Sequence, residues 1–168
     1  MDSPEITVTP ARLADEASLA LIGALNAELA EMYPEPGACH FRLDPSEVAQ
    51  GRGAFLVASI GGVPTGCGAF RILEDGSAEL KRMYVAPEAR GQGLGRRLVA
   101  ELEASARALG VRRLVLETGV RQAAAIELYR SAGFEFIPPF GEYCLSPDTS
   151  ICLAKDLAAE GDDALTKR

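Results

Sequence analysis

Apolar residues along this chain fall into runs of two kinds, one spaced as in helices and one continuous enough for strands. Leu21, Leu25, Leu29 and Met32 recur at intervals of three and four, which predicts an amphipathic helix from about Ala14 to Met32, stopped by Pro34 and Pro36. Leu94, Leu98, Leu102, Ala106 and Leu109 repeat the pattern, with Gly110 placed as a C′ residue. Ala123 to Ala132 carries Ile126 and Tyr129 and ends at Gly133, where Phe134 can fold back over the last turn. A short fourth helix is predicted at Asp44-Pro45-Ser46-Glu47, with Asp44 as N-cap, Pro45 first and Glu47 closing a capping box; Gly51 and Gly53 end it.

Between these lie the strands. Ile6 to Thr9 is a β-branched run ended by Pro10, suited to a sheet edge. Phe55 to Ile60 and Val63 to Leu73 are joined through Gly61-Gly62, a tight hairpin, and Asp75-Gly76 turns the chain into Ala78 to Val85. Three strands thus form a meander. Leu114-Val115-Leu116 is apolar throughout, as for a strand buried on both faces after a helical crossover. Phe134 to Ile137 and Ser150 to Ala154 flank the loop Pro138 to Tyr143, and the tail from about Glu160 is polar. No repeat or linker divides the chain, so a single mixed α/β domain is expected.

Composition narrows the classes. The chain has 168 residues, 48% of them hydrophobic and 24% charged, ordinary for a globular domain. The most apolar stretch, Leu19 to Leu25, is too short for a bilayer span, and Met1 to Glu5 carries no export signal, so a cytoplasmic protein is expected. Cys39, Cys67, Cys144 and Cys152 form no C-x-x-C pair and there is one histidine, His40. They read as buried or semi-buried thiols, and no metal site is expected. The net charge of −7 argues against nucleic acid as a partner. Its distribution is uneven: Lys81 to Arg97 holds five basic residues and one acidic, a net +4, leaving −11 on the rest. An anionic ligand is expected at that island, and the acidic remainder slightly favours a cationic second substrate.

The island surrounds Pro87-Glu88-Ala89-Arg90-Gly91-Gln92-Gly93-Leu94-Gly95-Arg96. Three glycines in five residues let successive amides converge on an anion, and the helix that follows adds its positive end. The triphosphate loop is excluded because Gly95-Arg96-Arg97 lacks its Gly-Lys-Ser/Thr, and the dinucleotide fingerprint because Arg96 stands at its third glycine. What fits is Arg/Gln-x-x-Gly-x-Gly/Ala. Arg90, Gly93 and Gly95 in this setting, with Glu79-Leu-Lys-Arg-Met-Tyr-Val85 before them, resemble the pyrophosphate loop and central strand of the GNAT superfamily of N-acetyltransferases. Gln122-x-x-Ala-Ile-x-Leu-Tyr-x-x-x-Gly-Phe134 is similar to a second signature of that family, with Gln122 where Asn is usual. The final hairpin, Pro138 to Lys155, looks like that of many small bacterial members.

The resemblance runs from about Ile6 to Leu157. It implies a GNAT fold, a mixed, mostly antiparallel sheet of six or seven strands flanked by about four helices. It also implies acetyl-CoA as cosubstrate, bound through the backbone of Met83, Tyr84 and Val85 and by Arg90, Gly91, Gln92, Gly93, Leu94, Gly95, Arg96 and Gln122. The oxyanion is expected at a backbone N–H near Met83. Glu79, a carboxylate on a covered strand, is a candidate general base, with a structural pairing to Lys81 two residues along the same face as the equal alternative. Tyr129 is the candidate general acid, since a phenol at a pKa of ~10 can protonate a thiolate whose own value is ~8.5; periodicity alone makes it a core aromatic. Tyr33, Glu35, His40, Glu142 and Tyr143 stand in loops expected to border the acceptor. The expected reaction is direct acetyl transfer to a primary amine, without an acetyl-cysteine, by a protein that resembles a family of frequent homodimers. A catalytically silent CoA-binding module and a transferase of another acyl group are the alternatives.

Overall fold

The computed structural model describes residues 3–34 and 43–157. Within them, seven strands form one sheet in the order β1-β2-β3-β4-β5-β7-β6. The strands are β1 (Ile6–Pro10), β2 (Gly53–Ile60), β3 (Val63–Ile72), β4 (Ala78–Val85), β5 (Arg113–Gly119), β6 (Glu135–Ile137) and β7 (Ser150–Asp156). Three α-helices cover it: α1 (Glu16–Met32), α2 (Leu94–Ala108) and α3 (Ala123–Ser131). All neighbours are antiparallel except β4 and β5, the parallel pair that α2 connects.

The expected fourth helix is a single 3-10 turn, Pro45–Val48. Asp44 and Glu47 close the capping box there, but Ala49 is already extended and the turn goes no further. The Gly61-Gly62 hairpin, the Gly110 and Gly133 helix ends and the edge position of β1 match the pattern reading. Phe134 N–H returns to the Tyr129 carbonyl, 3.0 Å away, and the two rings meet edge to face at 5.7 Å. β5 extends past Leu116 to Gly119, where its residues pair only with β7.

Each face of the sheet has its own apolar layer. On one, Leu94, Leu98, Leu102 and Ala106 of α2 pack with Phe70, Leu80, Leu114, Leu116 and Leu153, joined by Tyr129. On the other, Leu21, Leu25, Leu29 and Tyr33 of α1 and its C-cap pack on Phe55, Val57, Cys67, Ala69 and Tyr84. Burying a leucine side chain contributes about 1.5–3 kcal/mol, so these two stripes hold the helices in place.

β4 is built in two halves. Ala78, Glu79 and Leu80 pair with Leu114, Val115 and Leu116 of β5, and there the ladder ends. β4 continues beside β3 through a bulge: Ala69 pairs with Lys81 but Cys67 with Tyr84, leaving an extra residue in β4. Arg82, inside it, is the one non-glycine residue with positive φ (58°) among the described residues.

A buried ion pair sits in the paired half. Glu79 is 1% exposed, and its carboxylate receives Arg71 Nε at 3.0 Å, Arg71 Nη2 at 2.9 Å and the Tyr143 hydroxyl at 2.5 Å. Arg71 also grips Glu47 of the 3-10 turn. Burial alone would raise the Glu47 carboxyl, but the Asp44 amide and Arg71 outweigh it and hold it below the usual range. The partners of Glu79 are therefore Arg71 and Tyr143, not the Lys81 expected from strand alternation.

Removing one member of such a pair strands the other in a poorly solvated place. Arg71→Met is expected to lower unfolding free energy in urea by about 2–4 kcal/mol, and adding Glu79→Gln to recover at least half of it. A loss under about 0.5 kcal/mol would rank the pair with ion pairs of no measurable worth.

Candidate active site

The site begins where β4 and β5 part. A strand sends the polar groups of alternate residues to opposite sides. Ala86 N–H bonds the Thr65 carbonyl of β3 at 2.7 Å, so the groups of Val85, and by the same alternation Met83, turn the other way, into the gap. An extended amide chain can pair there. One of these acceptors is already engaged: Arg90 Nε donates to the Val85 carbonyl at 2.9 Å.

Above the gap stands the glycine-rich turn. Gly91 (φ 81°) and Gly93 (φ 82°) are both left-handed, a conformation that favours glycine, and a Cβ at either would meet nothing within 4 Å. Gly93 caps α2, whose first intrahelical bond runs from Arg97 N–H to the Gly93 carbonyl. The amides of Leu94, Gly95 and Arg96 precede it and have no partner among the described residues. Open space, two left-handed turns and a 15-residue helix aimed at it suit a pyrophosphate.

The other loop residues are placed less simply. Arg90 turns away from the cradle, its Nη2 bonding both Glu28 oxygens at 2.8 Å, with its guanidinium 5.9 Å from the Tyr84 ring centroid. Gln92 reaches back to the Glu88 carbonyl at 3.5 Å, and Arg96 donates to Ser131 Oγ on α3 at 2.9 Å. Leu94 buries its side chain in the core. Gly95 makes room: a Cβ there would sit 3.0 Å from Leu128 of α3.

Gln122 stands at the end of β5. Its Oε1 accepts from Gly119 N–H at 2.9 Å and from the Thr118 hydroxyl at 3.0 Å. This fixes the strand-to-helix turn and spends the carbonyl end of the amide, so the NH2 end is the one a ligand could accept from.

Tyr129 projects from α3 on the α2 face and is 5% exposed. Its hydroxyl makes no hydrogen bond among the described residues. Burial, and then the charge of Glu117, push the phenol well above its ordinary range, so it carries its proton at any physiological pH.

The α1 face of the gap is charged. Leu114 and Leu116 face α2, so alternation turns Glu117 toward α1, on the part of β5 that has parted from β4 and pairs with β7 alone. It faces Tyr143, whose phenol is raised by burial first, then by Glu79 and Glu117. Pattern reading did not single out Glu117; the signal was an acid directly after the apolar run Leu114 to Leu116. Arg71 and Arg82 were also missed, because nothing local marks a bulge or a partner eight residues away.

Of the expected acceptor-side residues, Tyr143 is bound to Glu79 and Glu142 is exposed. Tyr33 is buried and bridges elements: its hydroxyl accepts from Arg121 N–H at 2.9 Å, and its ring lies where a Gly119 Cβ would go, with Oη 1.8 Å from that point. Glu35 and His40 lie outside the described residues, as does Cys39. Cys67 and Cys152 are buried, but Cys144 is exposed, against the expectation of covered thiols. Burial pushes the Cys67 thiol up to about 12, leaving it a poor nucleophile. Among the described residues no group of acids, histidines and cysteines could hold a metal, and no helix is long and apolar enough to cross a membrane.

Comparison with known proteins agrees with this geometry. The model of the acetyltransferase (GNAT) family matches residues 22–134. An IAA acetyltransferase of Azospirillum brasilense is 42% identical over 145 residues, covering 86% of this chain and 94% of its own. A candidate acyl-CoA N-acyltransferase of Klebsiella pneumoniae is 36% identical, with a TM-score of 0.76 over 91% of this chain and 98% of that one. A Salmonella typhimurium protein solved with acetyl-CoA shares the fold, with a TM-score of 0.65 at 24% identity over 91% and 94% of the two chains. The chain thus belongs to the GNAT family and is an N-acetyltransferase.

Proposed function

We propose that this protein moves the acetyl group of acetyl-CoA to the primary amine of a small molecule or peptide, by direct attack. The observation that carries the reading is the gap between β4 and β5, open to a phosphate cradle and bordered by a buried phenol on one face and carboxylates on the other. The residues suit the cosubstrate: Leu94, Gly95 and Arg96 amides for the pyrophosphate, Met83 and Val85 backbone for the amide arm, Gln122 Nε2 beside it.

Acetyl-CoA supplies an acetyl group activated as a thioester. Attack by the amine nitrogen forms the N–C bond and breaks the C–S bond, so one proton must leave the amine and one must reach the sulfur. Tyr129 provides the second. For the first, Glu117 stands on the lip of the gap, whereas Glu79 lies in the paired stretch and already accepts from Arg71 and Tyr143. We assign proton acceptance to Glu117, with Glu79 holding Tyr143 in place beside it. A Met83 amide directed into the gap supports the thioester oxygen.

Tyr129→Phe is expected to lower kcat by about a hundredfold while calorimetry finds acetyl-CoA affinity within about twofold of the native value. Unchanged turnover would remove Tyr129 as the acid. In the cradle, Gly93→Ala forces a side chain into a left-handed backbone, roughly 1–2 kcal/mol of strain, and should weaken acetyl-CoA binding about tenfold. Gly95→Ala asks only that Leu128 shift by a few tenths of an ångström, and its affinity should stay within about threefold, under 1 kcal/mol. Equal effects at the two positions would mean that the left-handed turn is not what receives the pyrophosphate.

A further inference from the structure

The connection from β6 to β7 brings two cysteines to one place. Cys144, in the 3-10 turn Gly141–Leu145, is exposed, and Cys152 of β7 is buried. The Cys144 thiol donates to the Pro139 carbonyl at 3.3 Å, and the Phe140 N–H donates to the Cys152 sulfur. That carbonyl and that N–H belong to a single peptide group, on opposite sides of its plane's long axis. The two thiols therefore hold one peptide from either side. Burial raises the Cys152 thiol, and the nearness of Cys144 adds to it.

The peptide they hold is able to move. Residues 138–140 belong to no strand or helix, and Pro138 and Pro139 have no N–H to give to a neighbour. What it carries matters to the site. Tyr143 N–H bonds the Phe140 carbonyl at 3.1 Å, and the two rings meet edge to face at 5.2 Å, so Phe140 and Tyr143 shift together. Tyr143 in turn closes the buried Glu79 carboxylate. Through one peptide, two thiols thus anchor the wall on the α1 face of the gap.

We propose that Cys144 and Cys152 form a thiol–disulfide exchange site, with Cys144 as the entry thiol, Cys152 as the resolving thiol and the disulfide of a low-molecular-weight thiol as the reagent. Cys144, as its thiolate, attacks one sulfur of that disulfide, forming a mixed disulfide and expelling one thiolate. Cys152 then gives up its proton and attacks the Cys144 sulfur, expelling the second. Both protein thiols are oxidised, and the reagent is reduced to two thiols. In the product Cys144 has no S–H to offer Pro139, and the peptide between the sulfurs must withdraw before they can bond. Phe140 and Tyr143 follow it, and Tyr143 leaves Glu79. Cys67 takes no part, being buried in β3 with its thiol pushed up to about 12.

The test treats the full-length protein with oxidised glutathione and reads peptide mass and amide hydrogen exchange. Trypsin leaves both cysteines on one peptide, Ser131 to Lys155, apart from Cys39 and Cys67. The native chain should yield that peptide lighter by two hydrogen atoms, and exchange over Phe140 to Ser146 should quicken about tenfold or more. Dithiothreitol should reverse both. Cys152→Ala should stop at a glutathione adduct on Cys144, and Cys144→Ser, whose hydroxyl can still donate to Pro139, should leave the peptide unmodified. The reduced native chain is its own reference, so the result does not depend on how well either variant folds. A native peptide that stays unmodified, one that stops at the adduct, or a disulfide that leaves exchange over the turn unchanged would each overturn the proposal.

Discussion

The structure depends on a ladder that stops early. β4 and β5 share three residue pairs and then separate, although each keeps a neighbour on its other side, β4 pairing with β3 on both sides of the bulge and β5 with β7 throughout. That second set of bonds is why the gap can persist without the sheet unravelling. The Val85 carbonyl already takes Arg90 Nε; the other groups of Met83 and Val85 that face the gap must still be satisfied, by water or by a ligand, since unpaired backbone amides are costly once covered. A linear chain of amides is the natural occupant of such a slot. What the fold adds is direction, because α2 starts at one end of the slot and offers three unpartnered amides to an anion.

The two faces of the gap then divide the chemistry. Toward α2 the surroundings are aliphatic, and the phenol of Tyr129 is kept protonated by its own burial. Toward α1 charge accumulates: Glu79, Arg71, Glu47, Glu117 and Arg82. Such a cluster is stable only while each member is matched. Arg71 serves both Glu47 and Glu79, and Tyr143 closes the second carboxylate, so the inner part of the cluster forms a fixed wall. Arg82 and Glu117, on the two lips, lie beyond it.

Much of this could be read from sequence, and the part that could not has a common cause. The helices, the hairpin, the left-handed glycines and Tyr129 are set by residues within a few positions of one another, where periodicity and turn chemistry act. The Glu79–Tyr143 bond spans 64 residues and the Arg90–Glu28 pair 62, and no local pattern encodes either. The motif reading gave Arg90 to the pyrophosphate, whereas its guanidinium here grips α1. The family pattern allows Gly or Ala at Gly95, and contact with Leu128 explains why: the position is limited by packing rather than by backbone angle. The bulge at Arg82 was invisible because no glycine, asparagine or aspartate in Ala78 to Val85 marks the positive φ.

One helix sets the width of the gap. On the β4 side α1 is tied through Glu28 to Arg90 and through Asn26 to Arg82. On the β5 side its C-terminal end is tied through the Tyr33 hydroxyl to the Arg121 amide and through the Met32 carbonyl to the Arg121 side chain, with the Tyr33 ring seated on Gly119. These bonds are partly exposed and individually modest, about 0.5–3 kcal/mol each. Together they span the two lips from one rigid body. A change at either end of α1 would therefore move the lips relative to each other, and with them the distance between the phenol on one face and the carboxylates on the other. Because catalysis by positioned groups falls steeply with displacements of an ångström, α1 matters to the reaction even where none of its residues touches a reacting atom.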